Sequence, residues 1–155
     1  MYLPSLVEDI LHMRQVIVDA DACPRAVRAI LTQLQPVYGY ELVTIASFNH
    51  ELSGTHHITV GNGPDEADLA VVNRTHAGDI IVTQDYGLAS LVLAKGAKAI
   101  SPKGLVYTND NIDFLLAERH TQAVYRRQGR HTRGPKARTQ DDDATFMAAF
   151  KRLLK

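Results

Sequence analysis

The chain has 155 residues, 45% of them apolar, and one cysteine, Cys23. Seventeen basic and 17 acidic side chains cancel, so net charge neither favours nor excludes a nucleic-acid partner. These totals suit one domain with a proper core; they exclude an internal disulfide, and no apolar run is long enough to span a bilayer. A single thiol and the lack of a basic-then-apolar leader make the cytoplasm the expected compartment.

Residues 1–13 read as a lead-in, with MYLPSLVEDILH as a short amphipathic helix or a loose segment, and residues 14–155 as one α/β domain. Residues 15–18 read as a strand buried on both faces. A helix over 24–35 follows: Pro24 suits its first position, and Val27, Ile30, Leu31 and Leu34 recur at helical spacing. Pro36 and Gly39 end it. Strands are expected at 40–47 and 58–60, joined by the polar loop FNHELSGTHH. A turn and a helix from about Asp65, closed by Gly78, precede a buried strand at 79–83. Residues 86–96 read as a helix ended by Gly96, 97–101 as a strand, and 111–127 as a helix starting near Asn109 or Asp110. A last helix over about 141–154 places acids in its first turn and bases in its last, as the helix dipole favours. Between the last two helices, residues 126–138 (RRQGRHTRGPKAR) hold six Lys or Arg and no acid, and read as a basic loop.

Alternating strands and helices predict a three-layer α/β/α domain with a mostly parallel sheet. Ligands of such sheets sit outside the carboxyl ends of the strands. Asp19 and Asp21 follow the first strand and Asp85 follows the strand at 79–83, so these carboxylates converge if the strands are neighbours. Asp65 and Asp68, three apart in the first turn of a helix, can join them. Crowded carboxylates repel, and a divalent cation removes the conflict; hard oxygen donors suit Mg²⁺ or Mn²⁺, as one or two ions. Two such ions can activate a water and stabilise the leaving oxygen of a phosphodiester. Each acid also has a plainer role. Asp21 reads first as a cap for the 24–35 helix, Asp85 suits a cap for the next helix, and Asp65 and Asp68 favour a helix N-terminus. Asp19 is the hardest to explain this way. Asp79 opens the strand whose far end carries Asp85, about 20 Å away at strand rise, and reads as structural.

The segments VDADACP, GPDEAD, GDIIVTQDYGLA, KGAKAISPKGLVY and RRQGRHTRGP together resemble the YaiI/YqxD family of bacterial proteins, over about residues 14–154. That family is similar to PIN-like domains, metal-dependent ribonucleases built on a parallel α/β sheet. The resemblance implies a nuclease-like site with Asp19 as the first acid, Asp68 or Asp65 as the helix-borne acid and Asp85 as the acid after the later strand. It also implies RNA or another phosphodiester as substrate. PIN-like sites often hold a fourth acid soon after the third. Here Tyr86-Gly87-Leu88-Ala89 offers none, and Asp21 would complete the set.

Arg126, Arg127, Arg130, Arg133, Lys136 and Arg138, beside Tyr125, suit a phosphate backbone. Their plainer reading is a solvated loop paired with the acids at 141–143. Lys103 lies at the sheet's carboxyl edge and suits phosphate too. Thr83, Gln84 and Ser101 share that edge and suit orienting water or metal ligands. VIVDADAC also resembles the hhhDxDx signature of haloacid-dehalogenase phosphatases, with Asp19 as nucleophile and Asp21 as acid/base. A third reading is a nucleic-acid-binding protein without catalysis. Cys23 reads as a small packing residue. The histidines read as scattered surface groups, because no cysteine pair or His-Glu spacing marks a zinc site.

Overall fold

The computed structural model describes residues 12–47, 56–131 and 136–155. The rest of the lead-in (1–11), most of the polar loop after the second strand (48–55) and Arg133 lie outside the described residues.

Short β-branched runs build the sheet. Its strands are β1 (Gln15–Asp19), β2 (Glu41–Ala46), β3 (His56–Thr59), β4 (Ile80–Val82), β5 (Lys98–Ile100) and β6 (Val106–Tyr107). They lie in the order β3-β2-β1-β4-β5-β6, parallel except for the last pair. The helices are α1 (Arg25–Tyr38), α2 (Glu66–Arg74), α3 (Tyr86–Ala94), α4 (Asn109–Arg127) and α5 (Gln140–Leu154). Alternation along β1 divides the core into two halves. Val16 and Val18 pack with Val27 and Leu31 of α1 and with Phe146 and Phe150 of α5. Ile17 faces the other way, onto Val71 of α2, Leu88 and Val92 of α3 and Ile112 of α4. Covered on both faces, the central strands have no polar side, hence their unbroken apolar runs. The three-layer expectation holds. Among the described residues no helix is long and apolar enough to cross a membrane.

Four details differ from expectation. Helix α2 stops at Arg74, with Thr75 as its C-cap, short of Gly78. β6 is an added antiparallel edge strand, too short to announce itself by periodicity. Helix α1 runs through Pro36 to Tyr38 and closes at Gly39, whose φ is 73° and whose N–H donates to the Gln35 carbonyl at 2.8 Å. So near the helix end, proline forfeits little of the hydrogen-bond ladder. The basic segment 126–138 is not loop throughout, because Arg126 and Arg127 form the last turn of α4, where the helix expected to reach 127 ends.

The end of α5 is tied back to the sheet. Arg14 Nη1 donates to the Leu154 carbonyl at 3.0 Å, and Lys98 Nζ to the Leu153 carbonyl at 2.8 Å. These bonds satisfy carbonyls that a helix terminus otherwise leaves open. Gly104 turns the chain between β5 and β6 with φ +93°, and a Cβ there would lie 2.8 Å from the Thr145 carbonyl carbon and 2.9 Å from the Phe146 nitrogen. Gly104→Ala is expected to cost about 2–3 kcal/mol, against about 1 kcal/mol for Gly39→Ala. At Gly39 the φ is also positive, but the space around the new methyl is open. Equal losses in urea unfolding would remove the steric part of this account.

Candidate acidic site

β1 and β4 are parallel neighbours with Val18 beside Val82, so Asp19 and the Thr83–Asp85 segment leave the sheet side by side at its carboxyl edge. Thr83 links them. Its hydroxyl donates to Asp19 Oδ2 at 3.1 Å and accepts the Asp85 N–H at 3.0 Å. The hydroxyl has one proton, and the bond from Asp85 leaves that proton to Asp19. Asp85 Oδ1 accepts the N–H groups of Gly87 at 2.8 Å and Leu88 at 3.2 Å, capping α3. The capping role and the edge position therefore coexist in one side chain.

Helix α2 brings Asp68 to the same place. Asp65, just before it, adopts a left-handed φ of 63° and makes no side-chain cap bond. Burial pushes the Asp19 carboxyl up to about 6, against the opposing hydrogen bond from Thr83; the charges of Asp68, Asp21 and Asp85 raise it further. Burial also raises Asp68, as do the charges of Asp85 and Asp65 and a hydrogen bond shared with Asp85. Asp65, Asp68 and Asp85 line a cavity of about 700 Å³, together with Arg119 of α4. Arg119 Nη1 lies 3.8 Å from Asp85 Oδ1.

Asp21 does not cap the following helix. It sits in a 3-10 turn (Ala20–Ala22), and its carboxylate accepts the Ser47 N–H at 3.0 and 3.1 Å and the Ser47 hydroxyl at 2.8 Å. The N-cap position of α1 falls instead to Pro24, without a side-chain bond. The turn places Asp21 over the end of β2, where two Ser47 donors capture it. Its charge still reaches Asp19.

The donor set suits a hard cation in chemistry and in part in geometry. Asp19, Asp68 and Asp85 do not form a trio with donor atoms all within 4.8 Å of one another. Mg²⁺ binds proteins through one or two carboxylates and keeps several waters. The neighbouring Asp68 and Asp85 carboxyls, which line one cavity, fit that pattern, with Asp19 alongside.

Among the described residues, the trio that does gather within 4.8 Å is His12, His76 and Asp79, at the opposite edge of the sheet. The His12 and His76 rings stack at 3.9 Å, so these two histidines are not scattered surface groups. Asp79 is fully buried and accepts from Gln15 N, Gln15 Nε2, His76 N and His12 Nε2 at 2.9–3.1 Å. This is the structural role expected of it. Asp79 precedes β4 and Asp85 follows it, so the two cannot act together as the late acids of a dehalogenase-type phosphatase.

The basic residues separate. Lys103, Lys136 and Arg138 line a second cavity of about 450 Å³ with Gln84, Ser101 and Tyr86. Lys103 Nζ donates to the Lys136 carbonyl at 2.7 Å. Arg138 is committed to Asp143, at 2.6 Å from Nη2, and to the Pro102 carbonyl, at 2.6 Å from Nη1. Arg126, Arg127 and Arg130 line neither cavity; the Arg130 guanidinium lies over the Tyr125 ring at 5.2 Å. Gln84 Nε2 reaches the Ala22 carbonyl at 3.3 Å. Ser101 Oγ accepts the Leu105 N–H at 3.0 Å, which fixes a turn. Burial pushes the Cys23 thiol up to about 12, leaving it inert, as a packing residue should be. Arg119 and Tyr86 carry no local sequence signal, because only the fold brings them to the edge.

The family model described as "Uncharacterized BCR, YaiI/YqxD family" matches residues 17–155. A UPF0178 protein of Heliobacterium modesticaldum is 40% identical over 91% of this chain and 97% of its own length. A UPF0178 protein of Exiguobacterium sibiricum is 46% identical over 88% and 94% of the two chains. One from Natranaerobius thermophilus is 43% identical over 91% and 93%. No solved structure matches. The similarity spans the sheet, the acidic edge and the basic segment alike, and the chain belongs to the YaiI/YqxD family.

Proposed function

We propose that this protein is a PIN-like, Mg²⁺- or Mn²⁺-dependent phosphodiesterase that hydrolyses RNA. One observation carries the reading: Asp19, Asp68 and Asp85 come from separate elements, and the charges of Asp68, Asp21 and Asp85 all raise the proton affinity of the half-buried Asp19. Such crowding costs stability and is typical of sites where chemistry dictates placement. Asp19, Asp68 and Asp85 would hold the cation, with Asp21 and Asp65 adding to the negative field. When bound, the ion would polarise a phosphate oxygen and acidify a water. Thr83 holds the Asp19 carboxyl in place through its hydroxyl. Arg119 on one side of Asp85, and Lys103 with Lys136 on the other, offer cations to flanking phosphates.

The test is cleavage of a pool of labelled RNAs with Mn²⁺ present, comparing wild type with Asp19→Asn. Wild type should cleave, a chelator should abolish cleavage, and Asp19→Asn should fall to background. Equal cleavage by both proteins would sink the mechanism. RNA binding that ignores the chelator, with no cleavage, would make the protein a binder without catalysis.

A further inference from the structure

We propose that the cavity beside Asp85, on the β5 side, is a nucleotide subsite that takes one base against Tyr86 and its phosphate on Lys103 and Lys136. The proposal rests on the phosphodiesterase reading and deepens it. The cavity and the acidic site share the Gln84–Tyr86 segment: Asp85 lines one cavity, and Gln84 and Tyr86 line the other. The start of α3 is thus the ridge between two hollows, one with Arg119 and one with the lysines. A strand crossing that ridge would pass its backbone over the carboxylates.

The chemistry of the second hollow is that of a nucleotide rather than a bare anion. Its volume of about 450 Å³ falls in the range of small-molecule sites. Pro24, Pro102 and Leu105 supply apolar wall, Tyr86 an aromatic ring, and Lys103, Lys136 and Arg138 a cationic rim. Tyr86 is oriented by an edge contact with Tyr107, at 5.8 Å and 68°. Tyr107 is itself buried and fixed by donating its hydroxyl proton to the Thr83 carbonyl at 3.1 Å. A ring held in this way loses little freedom when a base stacks on it. Arg138 is neutralised by Asp143, whereas Lys103 meets a neutral carbonyl, so its charge and two of its three protons stay available to phosphate oxygens. A base locked in a duplex cannot enter such a hollow.

The experiment measures binding of 5′-AMP, 5′-UMP and inorganic phosphate to the full chain in chelator, by calorimetry and by resonance shifts. Both nucleotides should bind about tenfold or more tighter than phosphate, because a base stacked on an aromatic ring adds at least about that factor. Shifts in the wild-type protein should centre on Tyr86, Leu105 and Lys103, which locates the site without any variant. Tyr86→Ala should weaken nucleotide binding about tenfold and leave phosphate binding unchanged; Tyr86→Phe should retain nucleotide binding. Lys103→Ala should weaken nucleotides and phosphate alike. Nucleotides bound no tighter than phosphate, shifts centred elsewhere, or no detectable binding would each overturn the subsite. Chelator removes cleavage from this measurement. An absent subsite with RNA cleavage intact would therefore refute this proposal alone, and nucleotide binding without RNA cleavage would refute only the enzyme.

Discussion

Asp79→Ala is expected to lower the unfolding free energy by about 3–5 kcal/mol, the largest loss expected of any substitution considered for this protein. The carboxyl is fully buried and serves four donors at once: the backbone N–H groups of Gln15 and His76, the Gln15 amide and the His12 ring. Alanine would take the acceptor from all four, and the fully buried Gln15 N–H would lose its side-chain partner outright. Asp79→Asn should recover only part of the loss, since its amide keeps one acceptor oxygen but points N–H groups at other donors. A small domain has about 5–15 kcal/mol in hand, so the alanine variant should sit close to unfolding. Urea denaturation measures this, and a loss below about 1 kcal/mol would show that water replaces the carboxyl. At a temperature where the variant remains folded, its RNA cleavage per folded molecule should match wild type, because Asp79 lies at the edge remote from the acids.

Asp19→Asn should act in the opposite direction and stabilise the metal-free protein at neutral pH. The Asp19 carboxyl is held near 6 in the fold, above its ordinary value of 3.8, chiefly by burial. The folded state therefore binds the proton more tightly than the unfolded chain. The stabilisation this brings is fully present below about pH 4 and is lost as pH rises through about 6. By pH 8 the loss amounts to about 3 kcal/mol. Asparagine carries no charge to desolvate, so the variant should gain about 1–3 kcal/mol over wild type at pH 8 and nothing at pH 3.5. Adding Mn²⁺ should raise the melting temperature of wild type at pH 8 by mass action and should barely move that of Asp19→Asn. Melting curves across pH, with and without the ion, measure both effects. A variant less stable than wild type at pH 8 would mean that the Thr83 bond to Asp19 outweighs its desolvation. An equal Mn²⁺ shift in both proteins would remove Asp19 from the ligand set.

The sheet was legible because both its faces are covered: continuous apolar runs such as IIV admit few other readings. β6 was not, since two residues carry no period. The site was legible as far as strand ends reveal it. Asp19 and Asp85 each follow a strand, and neighbouring parallel strands must deliver them to one edge. The distance of Asp21 from Pro24 looks like a helix start and suggests a cap; an intervening turn gives it to Ser47 instead. Composition offers Arg138 as a phosphate ligand, but it cannot reveal that Asp143, five residues on in the first turn of α5, takes its charge. His12 and His76 meet across 64 residues, and Arg119 and Tyr86 reach the edge only through the packing of α3 and α4. None of these long-range meetings leaves a mark in local sequence.

The bonds from Arg14 and Lys98 to the last carbonyls of α5 bear on how the chain matures at the ribosome. Phe146 and Phe150 share with Val27 and Leu31 of α1 the half of the core that covers Val16 and Val18 of β1, so that face of the first strand made has only α1 over it until residues 140–154 have left the exit tunnel. The nascent chain must therefore carry a half-covered apolar sheet face until translation has passed α5, and that is the interval in which a chaperone would find it.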